Sequence, residues 1–499
     1  MGFFQFAQRH WRPSLVERLA ERLVACLLAC LLVSLPARAE TNALPSLGDR
    51  TSALISIEQE RALGQEFLRA VRAQAPLIND PLLQEYIELL CYELALNSEL
   101  QDRRLDIVII DADAINAFAA PGGIIGVHDG LFAQAETRNQ ISAILAHELA
   151  HLSQRHYARQ SEAGRQASLP SLAGMLAGVL LIATGAGDAG MAAITAGQAA
   201  SQSNMLRYSR GREAEADRVG IRTLARADMD PRAMAYMFER LSRANRFQGS
   251  NIPEFLLTHP VTKDRIADSY NQAAQYPERS WPLDLDYQLM RNRVRVYSAR
   301  SIDVAVDTMR AELDDPNPVR RTAAQYGLAL ALTETGQYDR ASWQLQSLRR
   351  EHPNKIAFSL AEAELQEKRG NTDEAERLLD EALAISPRNY PLSMAKAELL
   401  MKTGRAHAAE PLLVALAERR PNDVNVWYLL AETYGLANNI VGVHEARAEY
   451  FVLVGNLDQA IAQLGYAMPL VEDNFQRKAK IRTRIEEIHE LRREARRRS

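Results

Sequence analysis

The C-terminal part of the chain repeats itself every 34 residues, and this period restricts the fold more than any other feature. Three sets of small or turn-forming residues recur at that spacing: Gly336, Gly370 and Gly404; Ala341, Ala375 and Ala409; and Pro353, Pro387 and Pro421. A unit of this length holds two helices, with a small residue where they meet and proline closing the unit. Because one helical pair cannot bury its apolar face alone, the units must stack into a solenoid.

Agreement of three residue sets at one period is typical of tetratricopeptide repeats. The register drifts after residue 439, but "GNLDQA" at 455–460 repeats the turn pattern of "GQYDRA" at 336–341. We therefore predict about four or five helical pairs in residues 296–499, forming a curved solenoid with a concave surface. This surface is favoured as a binding site for protein partners, and the alternative is a stack that only supports the rest of the chain.

The first 39 residues differ from the remainder and predict a secretory signal peptide at 1–39. Arginines precede an apolar run at 23–35, and small residues follow it at Ala37 and Ala39. The 13 apolar residues would cover only about 20 Å, against a hydrocarbon core of about 30 Å, which disfavours a membrane anchor. Cys26 and Cys30 each end a lipobox-like stretch, but the apolar run continues past both, so lipoprotein anchoring is the less favoured alternative.

Length and charge narrow the class of protein further. A chain of 499 residues predicts more than one domain, and its net charge of -4 lacks the positive excess of nucleic-acid-binding proteins. We therefore expect no nucleic acid partner. Cleavage of the signal peptide would leave Cys91 as the only cysteine, which excludes an internal disulfide.

The stretch "HELAH" at 147–151 places two histidines four residues apart with a glutamate beside the first. On a helix, His147 and His151 share a face and can bind one zinc ion at about 2.0 Å. Glu148 would lie beside that ion, where it can take a proton from water and pass it to the leaving amine. The flanking positions are apolar, so this helix should be buried, where unpaired polar groups are costly.

A catalytic zinc site needs a third protein ligand and an open fourth position. The metzincin form of the motif requires glycine and histidine at two later positions, where this chain has Gln154 and Tyr157. That class is excluded. His156 falls one residue short of the required position, and we expect it to lie on another face.

A carboxylate from a later helix is the alternative third ligand. The segment at 209–224 supplies Glu213, Glu215 and Asp217, of which the first and last share a helical face. One carboxylate could bind the metal while another orients a histidine. Without the histidines, a surface helix with salt bridges to Arg212 and Arg218 would explain the segment equally well.

In combination these motifs resemble the gluzincin metallopeptidases of the HtpX and CAAX prenyl protease type, over about residues 55–270. The resemblance rests on "HELAH", on "EAEAD" at 213–217 and on "NAFAAPGG" at 116–123. It implies one Zn²⁺ per chain, held by His147, His151 and Glu213. It further implies Glu148 as the general base, with Asp217 assisting catalysis by orienting a ligand.

The resemblance also places substrate-binding residues along an edge strand: Asn116, Pro121, Gly122 and Gly123. The β-branched runs at 105–110 and 122–127 predict strands, with a loop at 116–121 between them. The predicted fold is mainly α. It comprises an α+β zincin-type metalloprotease domain with a small sheet at 40–295, followed by an all-α tetratricopeptide solenoid at 296–499.

The layout of signal peptide, protease and repeats implies a periplasmic zinc metalloendopeptidase that degrades misfolded or stalled polypeptides. By resemblance, its substrates would be outer-membrane β-barrel proteins, and its repeats would contact the outer-membrane β-barrel assembly machinery, with chaperone activity in addition. The alternative is a chaperone or scaffold with an idle or structural metal site. A single cysteine in the mature chain disfavours a structural metal site, since such sites often use several cysteines.

The apolar segment 169–200 predicts a helical hairpin packed on the catalytic core. Peripheral contact of this segment with a membrane is the alternative.

His259 lies in "LLTHPVTKDRIA" at 256–267, a stretch similar to the one that closes the protease domain in this family. As a structural residue it would fix the loop through a hydrogen bond. As a functional residue it could occupy the open zinc position and hold the enzyme latent, since a neutral imidazole is a common zinc ligand.

Overall fold

The structure is a computed structural model, and it describes residues 55–163, 176–180, 202–247 and 254–498. The predicted signal peptide and most of the apolar segment 169–200 lie outside the described residues. The described part of that segment, 176–180, is helical, and its Leu176 and Val179 are buried in a core cluster of the peptidase part. Within the described ranges, no helix combines the length and apolarity needed to cross a membrane.

Two helices open the described chain, and both begin at strong caps. Helix α1 (Ile57–Gln74) starts with a reciprocal capping box in which Ser56 and Gln59 each accept from the other's backbone N–H. Helix α2 (Pro81–Asn97) starts at Asp80, whose carboxylate accepts from two backbone N–H groups of the first turn. These helices flank the sheet that follows.

The sheet has three strands, β1 (Asp106–Ile110), β2 (Ala117–Ala120) and β3 (Ile124–His128), in the order β1-β3-β2. Strand β3 runs parallel to β1 and antiparallel to β2, so β2 is an edge strand. The predicted strands at 105–110 and 122–127 correspond to β1 and β3. The predicted loop at 116–121 is wrong for residues 117–120, because these four small or aromatic residues are buried and pair with β3.

The turn between β2 and β3 is tightly packed against α1. Gly122 and Gly123 have φ values of 79° and 83°, in the left-handed region that favours glycine. A Cβ on Gly123 would lie 2.2 Å from the carbonyl oxygen of Arg104, so no side chain fits there. Gly64 on α1 is equally constrained, because a Cβ there would lie 2.0 Å from the carbonyl oxygen of Pro121.

Besides the helical stretch at 176–180, the described residues of the peptidase part form seven further helices: α3 (Asp129–Gln134), α4 (Arg138–Ser153), α5 (His156–Ala163), α6 (Gln202–Arg226), α7 (Ala233–Phe247), α8 (Glu254–Thr258) and α9 (Lys263–Ala273). Helix α4 begins at Thr137, whose side chain accepts from the Gln140 N–H. All residues from Ile141 to His151 are buried, as the apolar sequence around the histidines predicts. Helix α4 lies between β2 and α6, and α7 packs on it as well.

The C-terminal part is entirely helical: α10 (Leu285–Tyr297), α11 (Ile302–Ala311), α12 (Pro318–Glu334), α13 (Tyr338–Glu351), α14 (Ile356–Arg369), α15 (Thr372–Ile385), α16 (Tyr390–Lys402), α17 (Ala406–Arg419), α18 (Val424–Leu436), α19 (Ile440–Leu453), α20 (Leu457–Ala467) and α21 (Phe475–Arg498). From α12 onwards the helices pack as successive pairs, which confirms the predicted repeats. The recurring alanines 341, 375 and 409 are buried between them. Of the recurring glycines, Gly370 has φ 90°, and no neighbour lies near a Cβ built there, so its turn conformation alone explains the glycine.

The repeats and the peptidase part share one apolar core. Tyr287 on α10 is fully buried, and its hydroxyl lies 2.9 Å from the carbonyl oxygen of Ala135, to which it donates. The same core cluster contains Ile144 of α4 together with Tyr326 and Phe358 of the repeats. A domain boundary between residues 295 and 296 stays a prediction, and the packing is continuous across it.

Candidate metal centre

Helix α4 presents two imidazoles to a single point. The Nε2 atoms of His147 and His151 lie 3.0 Å apart, and both residues are buried. One helical turn separates them, as the four-residue spacing predicts. Helix α6 brings a carboxylate to the same point: Glu213 Oε2 lies 3.5 Å from His147 Nε2, and Glu213 Oε1 lies 3.5 Å from His151 Nε2.

His259, which directly follows α8, supplies a fourth donor. Its Nδ1 lies 3.3 Å from His147 Nε2 and 3.1 Å from Glu213 Oε2. One donor atom from each of the four residues lies within 4.8 Å of all the others. The structure thus places His259 within the donor cluster, and its role there stays a prediction.

The spacing of these donors fits a tetrahedral zinc ion. Bonds of about 2.0–2.1 Å to four ligands give donor-to-donor distances of about 3.3 Å. Five of the six residue pairs approach to 3.0–3.5 Å, with His151 facing Oε1 of Glu213 and the other two histidines facing Oε2. Three imidazoles and a carboxylate are also a donor set that zinc accepts.

Without a cation, two nitrogen lone pairs would face each other across 3.0 Å, so a proton must lie between them. Burial alone would lower the pKa of His147, but hydrogen bonds to Asp217 and Glu213 outweigh it and raise that pKa to about 9. Burial lowers the pKa of His151 well below its ordinary value, so this imidazole is neutral, the form that binds metals. A cation at this point would replace the proton that lies between the two Nε2 atoms.

Asp217 orients His147 and is itself held by an arginine. Its Oδ1 lies 2.9 Å from His147 Nδ1, on the side of the ring away from the other donors. Arg265 on α9 donates to both oxygens of Asp217 at 2.8 Å, and its Nη1 lies 3.1 Å from Glu213 Oε2. Burial opposes ionisation of Asp217, but the hydrogen bonds from Arg265 and His147 lower its pKa.

Glu148 lies beside the donor cluster and not within it. It is buried, its Oε1 lies 3.6 Å from His259 Nε2, and the backbone N–H of Ala119 on β2 donates to it. Burial raises the pKa of Glu148, although the neighbouring histidines oppose the shift. A carboxylate with a raised pKa next to the metal-binding point is suited to accept a proton near neutral pH.

The predicted substrate-binding residues lie at the two ends of β2. The carbonyl of Asn116 accepts from His128 N at 3.0 Å, and the turn Pro121–Gly123 packs on α1, so both have contacts that build the sheet. In an antiparallel pair, backbone groups alternate between the partner strand and the outside. Since Asn116 bonds to β3, Ala117 and Ala119 face outward, in agreement with the Ala119 contact to Glu148. Substrate binding by Asn116 and the turn stays a prediction.

Two residues near the site were not identified from the sequence. Arg265 follows His259 in the same short stretch. The sequence signal for its role would have been the need for a cation to pair with the two carboxylates, Glu213 and Asp217, once both are taken to be buried. His156 lies outside the donor cluster, as expected, but its contact with the far side of a ligand was not foreseen: it begins a separate helix, and its Nδ1 lies 2.9 Å from His151 Nδ1. The chain turns back sharply after α4, which a helical pattern does not reveal.

The chain matches known proteins along most of its length. The model of peptidase family M48 matches residues 81–271, and a tetratricopeptide repeat model matches 367–433. The beta-barrel assembly-enhancing protease of Escherichia coli is 32% identical over 458 residues, which cover 91% of this chain and 93% of the relative. A Vibrio cholerae protein named for the same activity is 35% identical, over 91% of this chain and 94% of its own. The mitochondrial metalloendopeptidase OMA1 of Schizosaccharomyces pombe is 26% identical, over 42% of this chain and 60% of its own.

Proposed function

The chain belongs to peptidase family M48, whose members are metal-dependent peptidases, and from this premise we propose that it is a zinc-dependent endopeptidase of misfolded or stalled polypeptides. The observation that carries the proposal is the convergence of His147, His151 and Glu213 on one point, with Glu148 beside it. These three residues would hold the ion, and the fourth position would receive water or substrate when His259 leaves it.

The chemistry divides between the ion and the protein. When bound, Zn²⁺ polarises the scissile carbonyl and makes a nearby water more acidic. The carboxylate of Glu148 accepts the proton of the attacking water and later delivers it to the leaving amine. Asp217 keeps the proton of His147 on Nδ1, so that Nε2 offers its lone pair.

Strand β2 supports binding of an extended polypeptide. Its outward backbone groups at Ala117 and Ala119 lie along α4, next to Glu148. A substrate segment pairing with this edge would run past the catalytic residues. Folded proteins rarely offer such a segment, so we propose unfolded or incompletely assembled chains as substrates.

The names of two relatives and the presence of the repeats support a finer proposal. Beta-barrel assembly enhancement is the activity named for the Escherichia coli and Vibrio cholerae relatives. We propose outer-membrane β-barrel proteins as substrates, with the repeat domain contacting their assembly machinery. The predicted signal peptide supports a periplasmic location for this activity.

We also propose that His259 holds the enzyme latent. Its Nδ1 lies at tetrahedral spacing from His147 and Glu213, where water or substrate would otherwise bind. His259→Ala should therefore raise basal casein cleavage by the full-length protein. Unchanged or lower cleavage by folded variant protein would contradict latency.

Glu148→Gln is the decisive test of the enzyme proposal. The variant should keep one zinc per chain by metal analysis and lose about 10²–10⁴-fold in casein cleavage, since the amide cannot accept a proton. Glu418→Gln, at an exposed position in the repeats, is the control with the same chemical change. Retained cleavage by Glu148→Gln would show that another group moves the proton, and absence of zinc from wild-type protein would reject the metal site.

A further inference from the structure

The chain reverses direction directly after the metal-binding helix, and the reversal is held in place by specific bonds. Arg155 has φ 49°, a left-handed conformation that is uncommon for a residue with a side chain. Its Nη2 donates to the carbonyl of Ile55 at 2.5 Å, and its Nε donates to Glu60 at 3.3 Å. Strain of this kind persists only where the surroundings enforce it. Its effect is to bring His156 back against α4.

His156 contacts the ligand imidazole of His151 on the side away from the other donors. The two Nδ1 atoms lie 2.9 Å apart, and the rings are nearly perpendicular. The other nitrogen of His156, Nε2, lies 3.2 Å from Glu215 Oε2, and Arg159 donates to the same oxygen at 3.0 Å. Both histidines are buried.

These contacts leave one consistent placement of protons for two neutral rings. His151 Nε2 must offer a lone pair to a metal, so its proton is on Nδ1 and is donated to His156 Nδ1. His156 then carries its own proton on Nε2 and donates it to Glu215. The opposite placement would put the proton of His151 on Nε2, pointing into the donor cluster.

We infer that His156 and Glu215 are positioning residues that hold His151 in its metal-binding tautomer, as Asp217 does for His147. Each ligand histidine thus has its own chain of polar contacts. His151 is connected through His156 and Glu215 to Arg159, and His147 is connected through Asp217 to Arg265. Glu215 lies between Glu213 and Asp217 in the sequence, so one turn of α6 serves both ligand histidines. This inference rests on the proposed function, because it takes His151 to be a zinc ligand.

The test measures zinc affinity of the full-length protein by competition with a chromophoric chelator. His156→Phe keeps a ring and removes the acceptor, and the zinc dissociation constant should rise about 10–100-fold. His156→Asn keeps an acceptor oxygen near the position of Nδ1 and should recover most of the affinity. His407→Phe, at an exposed position in the repeats, makes the same change elsewhere and should leave affinity unchanged.

The outcomes separate this inference from the proposed function. Wild-type protein that binds no zinc would reject the proposed function. Tight zinc binding by wild type with equal affinity in His156→Phe would overturn the positioning role alone, as would a loss that His156→Asn does not recover. If circular dichroism shows that His156→Phe is unfolded, Glu215→Ala carries the same test, because this partly exposed glutamate tolerates truncation. Unchanged zinc affinity in that variant would reject the role.

Discussion

Replacement of Arg265 by methionine would leave two buried carboxylates without their cation. The guanidinium donates to both oxygens of Asp217 at 2.8 Å and to the carbonyl of Pro260 at 2.8 Å, and it lies 3.1 Å from Glu213. The side chains of Arg265 and Asp217 are 9% and 4% exposed, so solvent cannot compensate the charge. Methionine fills much of the same volume against Phe238, so the main loss is electrostatic.

The magnitude follows from the burial of the pair. Removal of one partner of a buried ion pair typically costs about 3–5 kcal/mol, because the other charge remains in a poor solvent. Each 1.4 kcal/mol is a tenfold change in an equilibrium constant, so local opening should become about 10²–10⁴-fold more frequent. Because α6 and α9 hold the two ends of this pair, the change should be largest there.

Hydrogen exchange with mass spectrometry on metal-free protein measures how often each segment opens. The measurement is local, so it does not treat the unfolding of a multidomain chain as a two-state transition. Peptides from α6 and α9 should lose about 10²–10⁴-fold of their protection. Peptides from α16 and α17 serve as the internal control. The double variant Arg265→Met with Asp217→Asn should recover part of the loss, since one stranded charge is removed. A change of less than tenfold, or no recovery in the double variant, would refute the reasoning.

Two further predictions concern the sheet. Gly64→Ala should destabilise the peptidase part by about 1–3 kcal/mol through overpacking against the Pro121 carbonyl, measured as a lower melting temperature. Gly465→Ala, where a Cβ meets nothing within 4 Å, should not, and equal melting of the two variants would contradict the packing argument. Ala117→Pro removes one outward N–H at the first residue of β2, a tolerated position for proline. It should lower kcat/KM for casein about fivefold, the cost of one hydrogen bond of about 1 kcal/mol, at unchanged zinc content. Unchanged kcat/KM would argue against pairing of substrate with this edge.

Much of the architecture could be predicted because local patterns determine it. The repeats follow from a period that fixes helix length and turn position, as buried Ala375 and the left-handed Gly370 illustrate. The two histidines follow from helical geometry alone. Glu213 could be assigned only by resemblance, since its position next to them depends on how α6 packs on α4.

The residues that could not be predicted depend on tertiary contacts. Strand β2 has four residues, too few for an alternating pattern to stand out from a loop, and its pairing with β3 defines it. His156 reaches His151 through a reversal at Arg155 that distant bonds to Ile55 and Glu60 impose. Arg265 gains its importance from two carboxylates on a helix distant in sequence. Each of these requires knowledge of which segments meet.

The buried Tyr287 has a consequence for how such an enzyme measures its substrates. Because this side chain joins α10 to the peptidase core, we expect the first repeats to move together with the peptidase part. If the repeats bind client proteins, as we propose, a bound client would meet the catalytic residues at a fixed distance. We then expect cleavage only of clients with a flexible segment long enough to span that distance.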